Sequence, residues 1–429
     1  MTISLRDARS AEQYERAVKY LPGGVNSPVR AMRSIGRNPV FIERGSGAEI
    51  VDIDGNHYVD WVCSWGPLIH GHAHPEIVAA ITEQAARGTT FGAATVGEVD
   101  LAAELCRRIP SVEMLRMTTS GTEASMSAIR LARAATGRTA LLKFAGAYHG
   151  HVDGLLADAG SGLATQGLPA SPGVLPAAAA QTIVVPWNDA EAVRVACERH
   201  AFAAILVEPF PGNMGVVPPA DGFLELLREQ ATANGALLIF DEVISGLRVA
   251  RGGAQELTGV LPDLTILGKI VGGGLPAAAF GGSRELMEQI APVGDVYQAG
   301  TLAGSPLAVA AGLAAVRLLD DSAYLKLAAT TQALAGGLRE LAAGRPLVVQ
   351  SVPGLVTLFF SETPVTNYEQ AKACNLERYG RFCRGLLARG VYAPPSQFEG
   401  WFPSLAHTAE QLELTLDAAA VALDAAFEQ

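Results

Sequence analysis

From about residue 75 to about residue 320 the chain repeats one texture: a short, nearly unbroken apolar run, then a longer Ala- and Leu-rich stretch. The clearest runs are ALLKF, TIVVP, AAILVEP, GALLIFDEV, LTILGK and AAAFGG. A run without polar alternation suits a strand covered on both faces. Strands separated by helical stretches assemble into a mostly parallel sheet, because each parallel connection needs a crossover. The pattern therefore predicts an α/β fold with a large central domain over residues 71–325. In such sheets, ligands are bound at the carboxyl ends of the strands, so polar residues that end a run are the first candidates for chemistry.

The flanks read differently. Residues 10–20 suggest a helix stopped by Leu21-Pro22-Gly23-Gly24, followed by the irregular stretch Val25-Asn26-Ser27-Pro28-Val29-Arg30. The segment PVFIERGSGAEIVDIDGNHYVDWV alternates apolar and polar residues around turns at Gly45-Ser46-Gly47 and Asp54-Gly55, a hairpin signature. Residues 1–70 are thus read as an N-terminal segment. After 325 come a long helix to about 345, the run PLVVQSVPGLVTLFF, a helix over 367–389 and a last helix from about 408, a smaller α+β unit over 326–429. The stretch SGLATQGLPASPGV (161–174) reads as a long loop, and long loops in compact domains are often functional.

Composition limits the partners. A net charge of −11 disfavours nucleic acid and anionic membrane, which need a basic face, and leaves small anions open because a few local cations suffice for them. Five scattered cysteines, with no paired spacing, fit a reducing compartment rather than a disulfide framework or a zinc site. The start of the chain has no apolar signal core and no run is long enough to span a bilayer, so a soluble, cytoplasmic protein is expected.

Lysine occurs at only five positions, 19, 143, 269, 326 and 372. Lys269 ends the run LTILG and precedes VGGGLP. It is either a surface lysine opening a loop or an amine in a partly dry site, where desolvation favours the nucleophilic free base. Asp241 ends ALLIF. It either caps the next turn or keeps a pyridine nitrogen protonated, the requirement of pyridoxal chemistry. Ser120-Gly121-Thr122-Glu123 opens a helical stretch and reads both as a capping box and as a phosphate cradle at a helix N-terminus. Tyr148, after ALLKF, either packs plainly or stacks on a flat cofactor, with His149 beside it. Arg30, taken alone, reads as a solvated arginine, although a loop arginine can also clamp a carboxylate. His70, His72 and His74 have the look of metal ligands but lack an acidic or sulfur partner at matching spacing. They are read as capping residues before Pro75, and no metal site is assigned.

Taken together in order, LPGGVNSPVR, SGTEA, YHGH, GNMGVVPP, LIFDEV, GKIVGGGLP, VYQAGTLAG and APPSQFE closely resemble the glutamate-1-semialdehyde 2,1-aminomutase family, a branch of the class III aminotransferases of fold type I. The resemblance runs from about residue 10 to about residue 425. It implies a seven-stranded, mostly parallel sheet with a smaller domain built from both terminal segments, and pyridoxal 5′-phosphate or its pyridoxamine form as cofactor. It implies that Lys269 carries the cofactor and shuttles protons, that Asp241 pairs with the ring nitrogen, that Ser120, Gly121 and Thr122 hold the phosphate, and that Tyr148 packs on the ring. Thr301 would reach the phosphate of the other subunit in a homodimer. Ser27, Val29 and Arg30 would bind the substrate carboxylate, Trp65, Ser161, Asn213 and Glu399 would line the pocket, and residues 157–172 would form a gate. The implied reaction turns glutamate 1-semialdehyde into 5-aminolevulinate, through the diamine 4,5-diaminovalerate, at the start of tetrapyrrole synthesis. Contact with the tRNA-dependent reductase that supplies the substrate is a further implication. The sequence departs from the family pattern at Thr119, Ala145 and Ser305. The alternatives are an ω-aminotransferase with a separate donor and acceptor, which would not need NSPVR, and a non-catalytic homologue that binds the cofactor for regulation.

Overall fold

The computed structural model describes residues 5–157, 160 and 171–428. Its strands in chain order are β1 (Ile42–Ser46), β2 (Glu49–Asp52), β3 (His57–Asp60), β4 (Met114–Thr118), β5 (Ala140–Phe144), β6 (Thr182–Val185), β7 (Phe202–Val207), β8 (Leu237–Glu242), β9 (Leu264–Leu267), β10 (Ala278–Gly282), β11 (Val348–Val352), β12 (Leu355–Phe359) and β13 (Val391–Tyr392). Seven of them form the central sheet in the order β4-β10-β9-β8-β7-β5-β6, in which β10 runs against both of its neighbours and the other pairings are parallel.

The apolar runs behave as expected of doubly covered strands. All six residues of β7 are buried, as are all of β9 and β10, against clusters on both faces of the sheet. β4 was not read from the sequence. It is an edge strand whose residues are only partly buried until Thr118, and Arg116 interrupts its apolar character. Edge strands escape the double burial that makes the others legible.

The flanking segments meet. β1, β2 and β3 form an antiparallel ladder, and β13 from the C-terminal part adds to β3 in parallel register, Val391 opposite Val59 and Tyr392 opposite Asp60. A core of Tyr58, Trp61, Leu338, Phe382, Trp401 and Leu423, among others, joins the two ends of the chain. The helix expected over 367–389 is two helices, Tyr368–Ala373 and Leu376–Leu387. The break is at Cys374-Asn375, where the Asn375 side chain accepts the Arg378 N–H and starts a new helix. No helix among the described residues is long and apolar enough to cross a membrane.

Candidate active site

The carboxyl ends of β5, β7, β8 and β9 open on one cavity of about 660 Å³. Glu208 follows β7, Asp241 lies within the end of β8, and Lys269 follows β9 by one glycine. Other walls come from distant parts of the chain: Asn26 to Val29, Trp65, and Glu399. A helix, Gly121–Thr136, points its N-terminus at the same space, and Gly121 and Thr122 line it.

Lys269 sits at φ 51°, in the left-handed region, as the first residue of a short 3-10 turn. Such a backbone costs about 1–3 kcal/mol outside glycine and persists only where the surroundings dictate it. Its side chain runs past Gly66, where an added Cβ would stand 3.4 Å from Lys269 Cδ and 2.9 Å from the Phe402 ring. The amine lies 5.9 Å from the centre of that ring. Desolvation lowers the Lys269 pKa, while Glu399, Glu208 and Asp241 oppose the shift.

Asp241 is buried, and its Oδ2 pairs with Nδ1 of the buried His149 at 2.8 Å, while Oδ1 accepts the Val243 N–H at 3.1 Å. Among the described residues His149 Nε2 has no partner, and neither does the buried Ser125 Oγ, and both residues line the cavity. Glu208 Oε1 accepts the Tyr148 N–H at 2.8 Å, and its Oε2 accepts Gly212 N–H at 3.1 Å and Asn213 Nδ2 at 2.8 Å. Burial raises the Glu208 carboxyl pKa above its ordinary value and raises the Tyr148 phenol as well.

Ser120 is the N-cap of its helix. Its hydroxyl accepts the Glu123 N–H at 3.3 Å, while Glu123 Oε2 accepts the Ser120 and Thr119 N–H groups, both at 2.8 Å. This is a reciprocal capping box, and the N–H groups of the next two residues, Gly121 and Thr122, have no helical acceptor. The two readings of SGTE are therefore compatible. Gly150, at φ +85°, lets the YHGH loop approach Thr122 closely, since a Cβ there would be 2.6 Å from Thr122 Oγ1.

The cavity thus gathers Lys269, Asp241, Gly121, Thr122, Tyr148, Ser27, Val29, Trp65, Asn213 and Glu399. Ser120 caps the helix beside it. Arg30 is not brought in: it is exposed, because the tight turn Pro28–Ala31 buries Val29 and turns the next side chain outward. Thr301 is also exposed and away from the cavity. Ser161 lies outside the described residues, as does most of the segment 157–172. Thr119, Ala145 and Ser305 do not line the cavity; Ser305 is the N-cap of the helix Pro306–Arg317. The histidines before Pro75 have other duties than capping by side chain. His72 Nε2 pairs with Asp60 Oδ2 at 2.7 Å, His70 Nε2 with the Ala315 carbonyl at 2.8 Å, and His74 occupies the N-cap position without a side-chain bond.

Two functional groups went unread in the sequence. Glu208 ends AAILVEP by the same strand-end rule that singled out Asp241. Arg248 carried no local signal. It is almost fully buried, and its guanidinium donates to the carbonyls of Gly354 (3.3 Å), Pro403 (3.1 Å) and Gly66, over the ring of Phe402.

These residues fit pyridoxal phosphate. The helix N-terminus offers free N–H groups to a phosphate, a carboxylate held by His149 stands ready for a protonated ring nitrogen, and one amine with a depressed pKa faces both. Comparisons agree. The sequence profile of the class III aminotransferases matches residues 32–423. Glutamate-1-semialdehyde 2,1-aminomutase 2 of Brevibacillus brevis is 56% identical over 425 residues, spanning 98% of this chain and 99% of that protein. An omega-transaminase from Sphaerobacter thermophilus superimposes with a TM-score of 0.90 at 37% identity, over 97% of each chain. A glutamate-1-semialdehyde-aminomutase from Pseudomonas aeruginosa PAO1 in complex with PMP gives a TM-score of 0.87 at 30% identity, over 97% of this chain and 94% of that one. By its sequence, its fold and the residues it gathers at the strand ends, the chain belongs to the class III aminotransferase family.

Proposed function

We propose that this protein is an isomerase that converts (S)-4-amino-5-oxopentanoate, glutamate 1-semialdehyde, into 5-aminolevulinate by moving an amino group within one molecule, as a step of tetrapyrrole synthesis. The observation that carries this reading is the end-to-end match, at 56% identity, to a protein named as that aminomutase. Fold does not discriminate here, since an omega-transaminase superimposes at least as well.

When bound, pyridoxal phosphate supplies an electron sink and a carbon that takes up and returns an amino group. In this reading Gly121 and Thr122 hold its phosphate through backbone N–H groups, with Ser120 fixing the turn. Asp241, aligned by His149, keeps the proton on the ring nitrogen. Tyr148 packs on the ring. Lys269 would hold the aldehyde form of the cofactor and would move a proton to and from the substrate carbon as a general base and acid, a role its depressed pKa suits. Ser27 and Val29 line the substrate end, with Trp65, Asn213 and Glu399 around it. Arg30 and Ser161 complete the substrate set in this proposal, Arg30 by swinging inward from its exposed position.

The decisive assay is turnover of glutamate 1-semialdehyde with no added keto acid or amino donor. The isomerase forms 5-aminolevulinate under those conditions; an ω-aminotransferase stalls after one amino group per site.

A homodimer belongs to the same reading, with Thr301 reaching the partner's phosphate. Support comes from exposed apolar side chains on adjoining segments, Phe91, Val96 and Val99 on one and Tyr297 and Leu302 on the other. Gly304, in the second segment, packs against Glu98 of the first. Sedimentation of the holoenzyme tests the dimer, and Thr301→Ala should weaken cofactor retention without splitting it. Cytoplasmic residence, supported by five free cysteines, and contact with the tRNA-dependent reductase complete the reading; co-purification of the two enzymes tests the contact.

A further inference from the structure

Glu208 is a buried carboxylate on the cavity wall that pairs with no lysine or arginine among the described residues. Three neutral N–H donors converge on it instead. Tyr148 N–H takes one oxygen, while Gly212 N–H and the Asn213 amide nitrogen share the other. An ionised carboxylate is the one side-chain form that accepts on both oxygens and donates on neither. The amide of Asn213 is therefore not free to turn. A carboxylate can meet only its NH2 end, so its carbonyl oxygen Oδ1 is left over. That oxygen makes no hydrogen bond among the described residues, and Asn213 lines the cavity.

We infer that Glu208 is a positioning residue that sets the polarity of the pocket: by locking the Asn213 amide it presents a hydrogen-bond acceptor to the ligand, so that this wall selects a ligand carrying an N–H or O–H donor beside the reacting carbon. The inference rests on the proposed aminomutase reading for the identity of that ligand, where substrate, intermediate and product each bear an amino group. The geometry alone carries the acceptor. The same carboxylate fixes the first N–H of the YHGH loop, so one side chain aligns the ring-packing tyrosine and the polar wall together.

Glu208→Gln distinguishes this from a merely structural role. Glutamine keeps the shape but replaces one acceptor oxygen with a donor. Placed toward Asn213, its NH2 turns the amide over and confronts the Gly212 N–H. Placed toward Tyr148, it confronts that N–H instead. The expected result is a fall in kcat/KM of about 10- to 100-fold, from one lost charge-assisted bond and one turned amide. Glu208→Asp should recover part of the loss, because it remains acceptor-only.

The critical measurement is coupling. If Glu208 acts through Asn213, the loss in the double variant Glu208→Gln/Asn213→Ala should fall well short of the product of the two single losses, the remainder reporting the Tyr148 contact, whereas independent roles multiply. A second readout does not depend on turnover. In holoenzyme labelled with 15N-asparagine, the Asn213 side-chain NH2 signals, identified by their loss in Asn213→Ala, should be shielded from solvent exchange in the parent and exposed in Glu208→Gln. Full multiplicativity of the two variants, or unchanged exchange of the Asn213 NH2 in both Glu208→Gln and the acceptor-free Glu208→Leu, overturns the inference. Should Glu208→Gln not fold, the same cycle is run with Glu208→Asp. Should the protein prove to be a two-substrate aminotransferase, the cycle is measured on that reaction, so failure of the functional reading and failure of this inference are read separately.

Discussion

At the residue scale, the site depends on a few side chains whose surroundings set their protonation. Lys269→Ala is expected to cut turnover by about 10²- to 10⁴-fold, the usual worth of a positioned acid and base, with little change in Tm. Stopped-flow absorbance of the cofactor checks it, since a shift that persists at the parent's rate would remove Lys269 from the chemistry. A second expectation concerns Glu242, next to Asp241 and fully buried. Its Oε2 accepts from Ser245 Oγ and Ala254 N–H, its Oε1 has no hydrogen-bond partner among the described residues, and burial pushes its pKa from 4.5 up to about 7. Between those values the folded chain holds a proton that the unfolded chain has lost. The contribution of this group to stability therefore declines as pH rises from about 4.5 to about 7, then stays constant. Glu242→Gln, neutral throughout, should gain on the parent by a few degrees in Tm between about pH 5 and about pH 8. A pH-independent difference between the two proteins would contradict this. Asp241 and Lys269 were legible because polar residues stand out at the end of apolar runs. Glu208 obeys the same rule, but the Pro209 that follows it gives it equally the look of a residue opening a loop. The placement of Arg30 was not legible, since the four-residue turn Pro28–Ala31 decides which of Val29 and Arg30 is buried.

At the element scale, the cradle proposed for the phosphate is made by two backbone segments that touch. The capped helix Gly121–Thr136 meets the YHGH loop at Gly150, whose φ of +85° and close approach to Thr122 exclude a side chain. Gly150→Ala should cost about 1–3 kcal/mol of stability from the backbone conformation alone. It should also displace the helix N-terminus and weaken binding of pyridoxal phosphate to the apoenzyme by roughly tenfold or more, while pyridoxal, which lacks the phosphate, binds as before. Equal losses for both ligands would place the damage elsewhere. The covered strands were readable one by one from their apolar runs. β4 was not, because an edge position asks for less burial. The break between Tyr368–Ala373 and Leu376–Leu387 was not either, because a single Asn cap inside a continuous helical pattern leaves little trace in the periodicity.

At the scale of the whole molecule, Arg248 ties together parts that are far apart in the chain: Gly66 before the central sheet, and Gly354 and Pro403 well after it. Among the described residues it forms no salt bridge, and burial lowers its pKa to about 10. Arg248→Met would leave three carbonyls without their donor and is expected to cost about 2–4 kcal/mol. Because Gly66 and Phe402 wall the Lys269 side chain, the same variant should also loosen cofactor retention. Calorimetry together with dialysis against buffer checks both effects, and a variant that unfolds earlier yet keeps its cofactor equally well would make Arg248 purely architectural. No local pattern announces such a hub. Its partners are backbone oxygens, and nothing in the residues around 66, 354 or 403 marks which carbonyls will be left over for it. The parallel pairing of β13 with β3 was equally unreadable, since a two-residue strand carries no period. That pairing has a consequence for the birth of the protein. While the ribosome is still adding residues near 390, every strand of the large sheet has been made, yet Gly66 has no Phe402 behind it and Glu399 has not emerged. The vitamin-derived ligand therefore meets a socket still open on the side that Glu399 closes, and the wall is complete only once the ends of the polypeptide have found each other.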